Sequence, residues 1–341
     1  MTTKTPPSNP VESVQYDLFS QFVTNNRDTV SNTIEIWESI PKYFLTPKQI
    51  KEARGSNGLA QPIEWHYEYE SASYSVEIQP ATIKDKDGSY RSYFPAITEE
   101  LVEESIKKIF SDQNHGIHDA KQSESWVYFT KSMIKKDLAK KGKTRSMSEI
   151  QQALDVMSGC VIRHFKNGKE IWKGAILQDL VTVNRSEYLD DSNARHAARL
   201  PLYISHAVNK LEYRQINYVK LMQCKTQLTR WMFKKLVNRY KQASVRNTYN
   251  FRYSAMKRDS ALLQQHRETD NRKKVIAALD ELKESNVIMS HNVSHEYDEN
   301  GKTIIDSIYT IRPSVEFESE QKAANKRDTD SSKIMRIDAR Y

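Results

Sequence analysis

Apolar residues fall at i, i+3, i+4 and i+7 in two widely separated places. One set is Ile150, Ala153, Leu154 and Met157; the other is Val275, Ala278, Leu279 and Leu282. That spacing lines one face of an α-helix. In both copies the helix stops sharply, and a β-branched pair follows, Val161-Ile162 or Val287-Ile288. A turn comes next, Asn167-Gly168-Lys169 in one copy and Asn300-Gly301-Lys302 in the other. Each copy reads helix, stop, strand, turn, strand. Asn-Gly suits a type I′ hairpin because both central residues need positive φ.

A helix followed by a β-hairpin is the back half of a winged helix, whose helix enters a DNA groove while the hairpin touches the flank. The expected fold class is therefore α+β, two tandem winged-helix domains with an N-terminal strand-containing elaboration. The first domain would span residues 121–210 and the second 246–315, joined by a long helix over 211–245. Residues 1–15 read as a flexible arm, 16–120 as an acidic α+β region packed on the first winged helix, and 316–341 as a solvated tail.

Finer signals fill this frame. Ile63 to Glu70, Tyr74 to Ile78 and Tyr90 to Phe94 alternate as strands do, with a turn at Asp85–Gly88. Thr98 is the expected N-cap of a helix with Glu99, Glu100, Glu103 and Glu104 near its positive end. Its buried stripe would be Leu101, Val102, Ile106, Ile109 and Phe110. Met133, Ile134 and Leu138 line a short helix before Gly142, and Ser146 with Glu149 has capping-box spacing. Gly159 is expected to close that second helix at C′. Ser186 to Arg199 reads as a polar loop, and Leu200 to Val208 as a buried strand or loop edge. Along 211–243, Arg230, Lys234, Lys235, Arg239 and Lys241 form a basic side. Trp126, Trp172 and Trp231 are expected in the core.

Charge sharpens the picture. The 341 residues carry a net charge of +8. Residues 1–120 hold 11 Lys/Arg against 18 Asp/Glu, a balance of −7; the remainder holds 41 against 26, a balance of +15. The basic surplus coincides with the repeated module, which favours a nucleic-acid partner. No run reaches the length of about 18 apolar residues that a membrane span needs. The opening Met1 to Pro10 is polar and Pro-rich, unlike a signal peptide. The two cysteines, Cys160 and Cys224, form no Cys-x-x-Cys pair, so a reducing, cytoplasmic setting is expected.

In the second module the polar start of the helix offers Arg267, Asn271, Arg272, Lys273 and Lys274 to base edges and phosphates. Lys257 and Arg258 either meet phosphate or pair with Asp259 or a neighbouring Glu. Lys302 and His295 are weaker candidates on the hairpin. In the first module Lys143, Thr144 and Arg145 of the turn would touch phosphate. Gln151 and Gln152 either read adenine or simply favour a wet helix face. Arg163, Lys166 and Lys169 sit on the hairpin.

Catalytic readings fare worse. Tyr188-Leu189-Asp190-Asp191 has the paired aspartates of some polymerases, but lies in a polar stretch without further carboxylates. His115, His118 and Asp119 have Gly116 among them and no third ligand set, so they read as loop histidines, and no metal is expected. No Gly-x-x-x-x-Gly-Lys-Ser/Thr cradle occurs, so no cofactor is expected either. The protein is expected to bind rather than catalyse.

Several strings carry a family likeness. They include Ser31-Asn32-Thr33-Ile34-Glu35, Ile40-Pro41-Lys42-Tyr43, Val76-Glu77-Ile78-Gln79-Pro80-Ala81 and Glu99-Glu100-Leu101-Val102-Glu103. Others are Thr226-Gln227-Leu228-Thr229-Arg230-Trp231, Tyr253-Ser254 with Lys257-Arg258-Asp259-Ser260, and Lys322-Ala323-Ala324-Asn325-Lys326-Arg327. Together they span nearly the whole chain, which resembles bacterial plasmid replication initiators of the two-winged-helix kind. The resemblance implies binding to directly repeated origin sites (iterons) in double-stranded DNA and opening of adjacent AT-rich DNA. It also implies recruitment of a host initiator and replicative helicase, plasmid copy control, and a dimer–monomer balance in which the first winged helix serves both DNA contact and self-association. The rival readings are a transcriptional repressor with the same tandem module and a rolling-circle nicking enzyme.

Overall fold

The computed structural model describes residues 22–23, 28–85, 87–112, 114–182 and 195–338, with side chains to residue 330. The expected arm over 1–15 and the tetrad 188–191 lie outside the described residues. The architecture is mixed α/β, built from small antiparallel sheets and two hydrophobic cores.

Along the first core the order begins with β1 (Val30–Thr33), α1 (Glu35–Ser39) and α2 (Pro47–Ala53). Strands β2 (Ile63–Tyr69), β3 (Ala72–Gln79), β4 (Ala81–Lys84) and β5 (Tyr90–Tyr93) follow, then α3 (Ile97–Phe110). After β6 (Gly116–Asp119) and β7 (Glu124–Thr130) come α4 (Lys131–Lys140) and α5 (Met147–Gly159). The hairpin β8 (Val161–Lys166)–β9 (Lys169–Gly174) is succeeded by β10 (Gln178–Thr182), β11 (Arg195–Arg199) and α6 (Leu202–Lys210). The hairpin does not stand alone: β3 pairs with β8, so the order β2-β3-β8-β9 makes one sheet. A second sheet runs β10-β11-β7-β6. Ile150, Ala153, Leu154 and Met157 of α5 are fully buried, as their spacing requires.

β12 (Arg214–Asn217) and α7 (Tyr218–Gln223) lie between the cores, Tyr218 and Met222 in the first and Ile216 and Leu221 in the second, which continues with α8 (Gln227–Arg239). Next are β13 (Tyr249–Arg252), α9 (Tyr253–Ser260) and α10 (Glu268–Glu284). The hairpin β14 (Ile288–Tyr297)–β15 (Ile304–Pro313) leads into α11 (Val315–Asp338). Val275, Ala278, Leu279 and Leu282 of α10 are buried here. The second sheet order is β13-β15-β14, while β12 reaches back to pair with β1.

Several expectations need correction. No single helix spans 211–243: Asn217 and Thr226 each cap a new one, their side chains accepting from the N–H groups of Lys220 and Thr229. Residues 195–199 form a strand rather than a loop, and 202–210 a helix rather than a strand. The supposed tail is helical; Phe317, Gln321 and Ala324 are buried, and the Arg214 guanidinium donates to Gln321, Asn325 and Asp328. The N-cap of α3 is Ala96 rather than Thr98, with Glu99 reaching back to the Ala96 N–H. Gly159 is the last helical residue, not a C′ glycine, because Cys160 caps the helix in an extended conformation. Trp126, Trp172 and Trp231 are half-buried, whereas Trp37 is the tryptophan with no exposure. At the first turn Asn167 and Gly168 both have positive φ (49° and 78°), as a type I′ hairpin demands. At the second only Gly301 does (66°), because Tyr297 pairs with Ile304 and leaves a longer loop braced by the Asp298 carboxylate.

Candidate nucleic-acid interface

Helix α10 presents its first turns to solvent. Arg267, Lys273 and Lys274 are exposed; only Lys273 has an acid near, Asp270 at 4.0 Å. Asn271 is different. It is fully buried, its Oδ1 accepting from the Gln265 N–H at 2.9 Å and its Nδ2 donating to the Gln265 carbonyl at 3.0 Å. It organises the helix start and cannot reach a base. Arg272 also turns inward, donating to Ser307 Oγ and the Ile304 carbonyl at 3.2 Å each, with its guanidinium 4.7 Å from the Tyr253 ring centroid. It fastens the hairpin to the helix.

The other candidates divide the same way. Lys257 pairs with Glu268, and Arg258 with Glu68 and Asp259, the structural alternative named above. Lys302 is exposed at the hairpin tip, and His295 meets Ser307 Oγ at 2.9 Å. In the first unit Arg145 donates to Thr98, and Arg163 pairs with Glu170 at 2.6 Å and Glu77 at 3.1 Å. Gln151 bonds Asp155 at 2.9 Å and is half-buried; Gln152 and Thr144 are exposed. Lys166 and Lys169 are exposed on the hairpin, Lys166 lying 5.6 Å from the Tyr74 ring. The exposed positions of α5 up to its end, Ser148, Glu149, Gln152 and Gly159, include no cation. By contrast α4 exposes Lys135, Lys136 and Lys140, which sequence reading passed over. Their signal was present: they lie opposite Ile134 and Leu138, which are fully buried.

The two units meet at a polar seam. The Lys143 ammonium donates to the Cys224 carbonyl at 2.8 Å, and Arg230 donates to the same oxygen at 2.9 Å. Near the far end of α10, the Glu281 carboxylate accepts from the Lys225 N–H and from Thr229 Oγ1. Thus the turn between α4 and α5 is tied to the segment that holds the end of α10.

Behind this seam lies a buried ionic cluster. Arg230 meets Glu100 at 2.8 Å, and Lys234 meets Glu104 at 2.5 Å and Glu38 at 2.7 Å. Lys107 bonds Glu38 and Glu104, while Glu103 accepts from Trp37 and Tyr43. Lys42 is buried over the Trp37 ring. Burial alone would raise Glu38; the adjacent Lys107 and Lys234 instead hold it well below the usual carboxylate range. Burial outweighs Glu103 and Glu38 at Lys42 and brings it down to about 8. The expected basic side of 211–243 is therefore corrected: Arg230 and Lys234 are interior, and Arg239 pairs with Glu35.

His118 is internal too, bonding Ser125 at 2.9 Å and Asn209 at 2.8 Å, so it is not a loop histidine. Cys160 and Cys224 are buried and free, each thiol pushed up to about 12 by burial. Among the described residues no His/Cys/Asp/Glu group could hold a metal, and no helix is long and apolar enough to cross a membrane.

No family model matches the chain, and no curated protein does. Solved structures do. Domains 2 and 3 of RctB align over 82% of this chain and 98% of theirs, with 12% identity and a TM-score of 0.49. A further structure of the same two domains aligns over 77% and 94%, with 9% identity and a TM-score of 0.44. The Pi initiator protein in complex with iteron DNA aligns over 64% and 91%, with 10% identity and a TM-score of 0.44.

Proposed function

We propose that this protein is a plasmid replication initiator that binds directly repeated sites in double-stranded DNA. In this reading each unit is a winged helix, with α10 the groove-entering helix of the second and α5 its counterpart in the first. The observation that carries DNA binding is the exposed cluster Arg267, Lys273 and Lys274 at the start of α10, with Lys302 on the adjoining hairpin. Cations there can reach base edges and phosphates together. The tie between Lys143 and Cys224 supports one rigid arrangement of the two units on a single duplex. The initiator role rests on the sequence strings set out above, and with it origin opening and recruitment of host initiator and helicase.

Self-association would use the first unit. Ile117 pairs with Trp126, and Tyr128 and Val181 flank Ala197, so one face of the sheet β10-β11-β7-β6 carries exposed apolar side chains.

Two experiments test the reading. A footprint on DNA flanking the gene should cover direct repeats, and Lys273→Ala with Lys274→Ala should weaken that binding by about 10-fold or more at fixed salt. A plasmid carrying the repeats should then replicate only with the protein supplied in trans. Repression without replication would favour the repressor, and a covalent adduct on supercoiled DNA with Mg²⁺ the nicking enzyme.

A further inference from the structure

We propose that the first unit grips the phosphate backbone of duplex DNA with α4, through Lys135, Lys136 and Lys140, rather than with α5. The proposal rests on the duplex-binding reading and names a contact surface which that reading lacks.

At about 3.6 residues per turn, Lys135, Ala139, Ser132, Lys136 and Lys140 follow one another around a continuous arc of α4. The arc opposite holds Lys131, Ile134 and Leu138, all buried. Lysines thus flank a floor of small residues, Ser132 and Ala139, over which a broad anionic surface can settle without steric obstruction. The three lysines are exposed, and among the described residues none of them pairs with a carboxylate. By contrast Arg163, Arg199, Arg252, Arg258 and Lys257 all hold acids. The one carboxylate on α4, Asp137, is occupied by the Tyr218 hydroxyl at 2.5 Å.

Position chooses the partner. Helix α4 runs directly into the turn whose Lys143 is fixed to the second unit. It also packs on α5, the helix read as entering the groove, so a duplex held there passes this helix. The exposed face of α5 offers Glu149 and Gln152 but no cation, so it cannot supply the first unit's share of backbone charge. A lysine ammonium is a point charge on a flexible stem, suited to phosphate rather than to base recognition.

The test compares the full chain with a Lys135→Gln, Lys136→Gln, Lys140→Gln variant. Both are titrated with the footprinted duplex and a scrambled duplex of equal length across a range of salt. Releasing three phosphate contacts should make the log-affinity against log-salt slope shallower by about 2.7. Affinity should fall by about 10-fold or more for both duplexes, with unchanged thermal midpoint. The matching Lys→Arg triple should restore slope and affinity, which a folding defect would not allow. An unchanged slope overturns the proposal and leaves the patch to another acidic partner. A loss confined to the footprinted duplex overturns it as well, since that would mean base reading. Failure of the unaltered protein to bind either duplex would instead remove the duplex-binding reading itself, and this proposal with it.

Discussion

His164 lies with no exposure between two hydroxyls, Tyr67 at 2.6 Å and Tyr203 at 2.7 Å. Burial first, and Lys42 second, lower its imidazole from 6.5 to about 4. The unfolded chain therefore takes up a proton at pH values where the folded one does not. Stability is full above about pH 6.5 and falls as the pH drops toward about 4, by about 3 kcal/mol across that window. Denaturant titrations at stepped pH should show this slope, and His164→Gln should flatten it. Arg272 teaches a different lesson. Its alanine variant loses two hydrogen bonds that pin β15, so it should cost about 1–3 kcal/mol in thermal or urea unfolding. Lys273→Ala should leave unfolding unchanged while weakening DNA binding. If both behaved alike, the separation of fastening from contact at this helix would be wrong.

Among elements, those that sequence shows best are the ones whose cause is local. The apolar spacing of α5 and α10, the Ser146–Glu149 capping box and the Asn167-Gly168 turn all depend on residues within a few positions of one another. Helix α8 was misread because its partners are distant in sequence. Nothing near Arg230 or Lys234 announces Glu38, Glu100 and Glu104, which come from α1 and α3. Asn217 and Thr226 were legible caps, but continuous apolar spacing across 211–243 masked them. Helix α11 was missed because, among its described side chains, only Phe317, Gln321 and Ala324 are buried, too thin a stripe to read as amphipathic. For the candidate site, sequence placed cations at the start of α10, where Arg267, Lys273 and Lys274 are exposed, but not which side chains turn inward. Lys234→Met should expose the cost of the cluster, since it leaves Glu38 and Glu104 to share Lys107 as their one ion-pair partner. A loss of about 3–5 kcal/mol is expected in urea unfolding. Adding Glu104→Gln alone should recover much of it, because Lys107 then still pairs with Glu38.

For the whole molecule, the acidic first third acquires a use. Glu35, Glu38, Glu68, Glu100 and Glu104 pair with Arg239, Lys234, Arg258 and Arg230 of the second unit. Much of the balance of −7 over residues 1–120 is thus consumed internally and does not oppose a polyanion. Exposed cations stand on α4, on both hairpins and at the start of α10. Because the β1–β12 pairing and the buried ion pairs of Arg230 and Lys234 join the two units, binding should depend on helical phase. Inserting about 5 base pairs, half a turn, between the contacts of the two units should drop affinity toward that of one unit alone. Full affinity after the insertion would mean that the units swivel freely.

The ionic cluster also decides how the protein would come apart. On the side of α1 and α3 it counts Glu38, Glu100, Glu103 and Glu104 against Lys42 and Lys107; on the side of α8 it counts Arg230 and Lys234. One bank is doubly negative and the other doubly positive. Pulling greasy surfaces apart is punished by water, whereas these ions would be rehydrated on parting and most of the loss returned. Parting would still have to break the β1–β12 pairing and withdraw Tyr218, Met222 and Ala261 from the first core. Rejoining would be guided by charge, and strong brine should slow it.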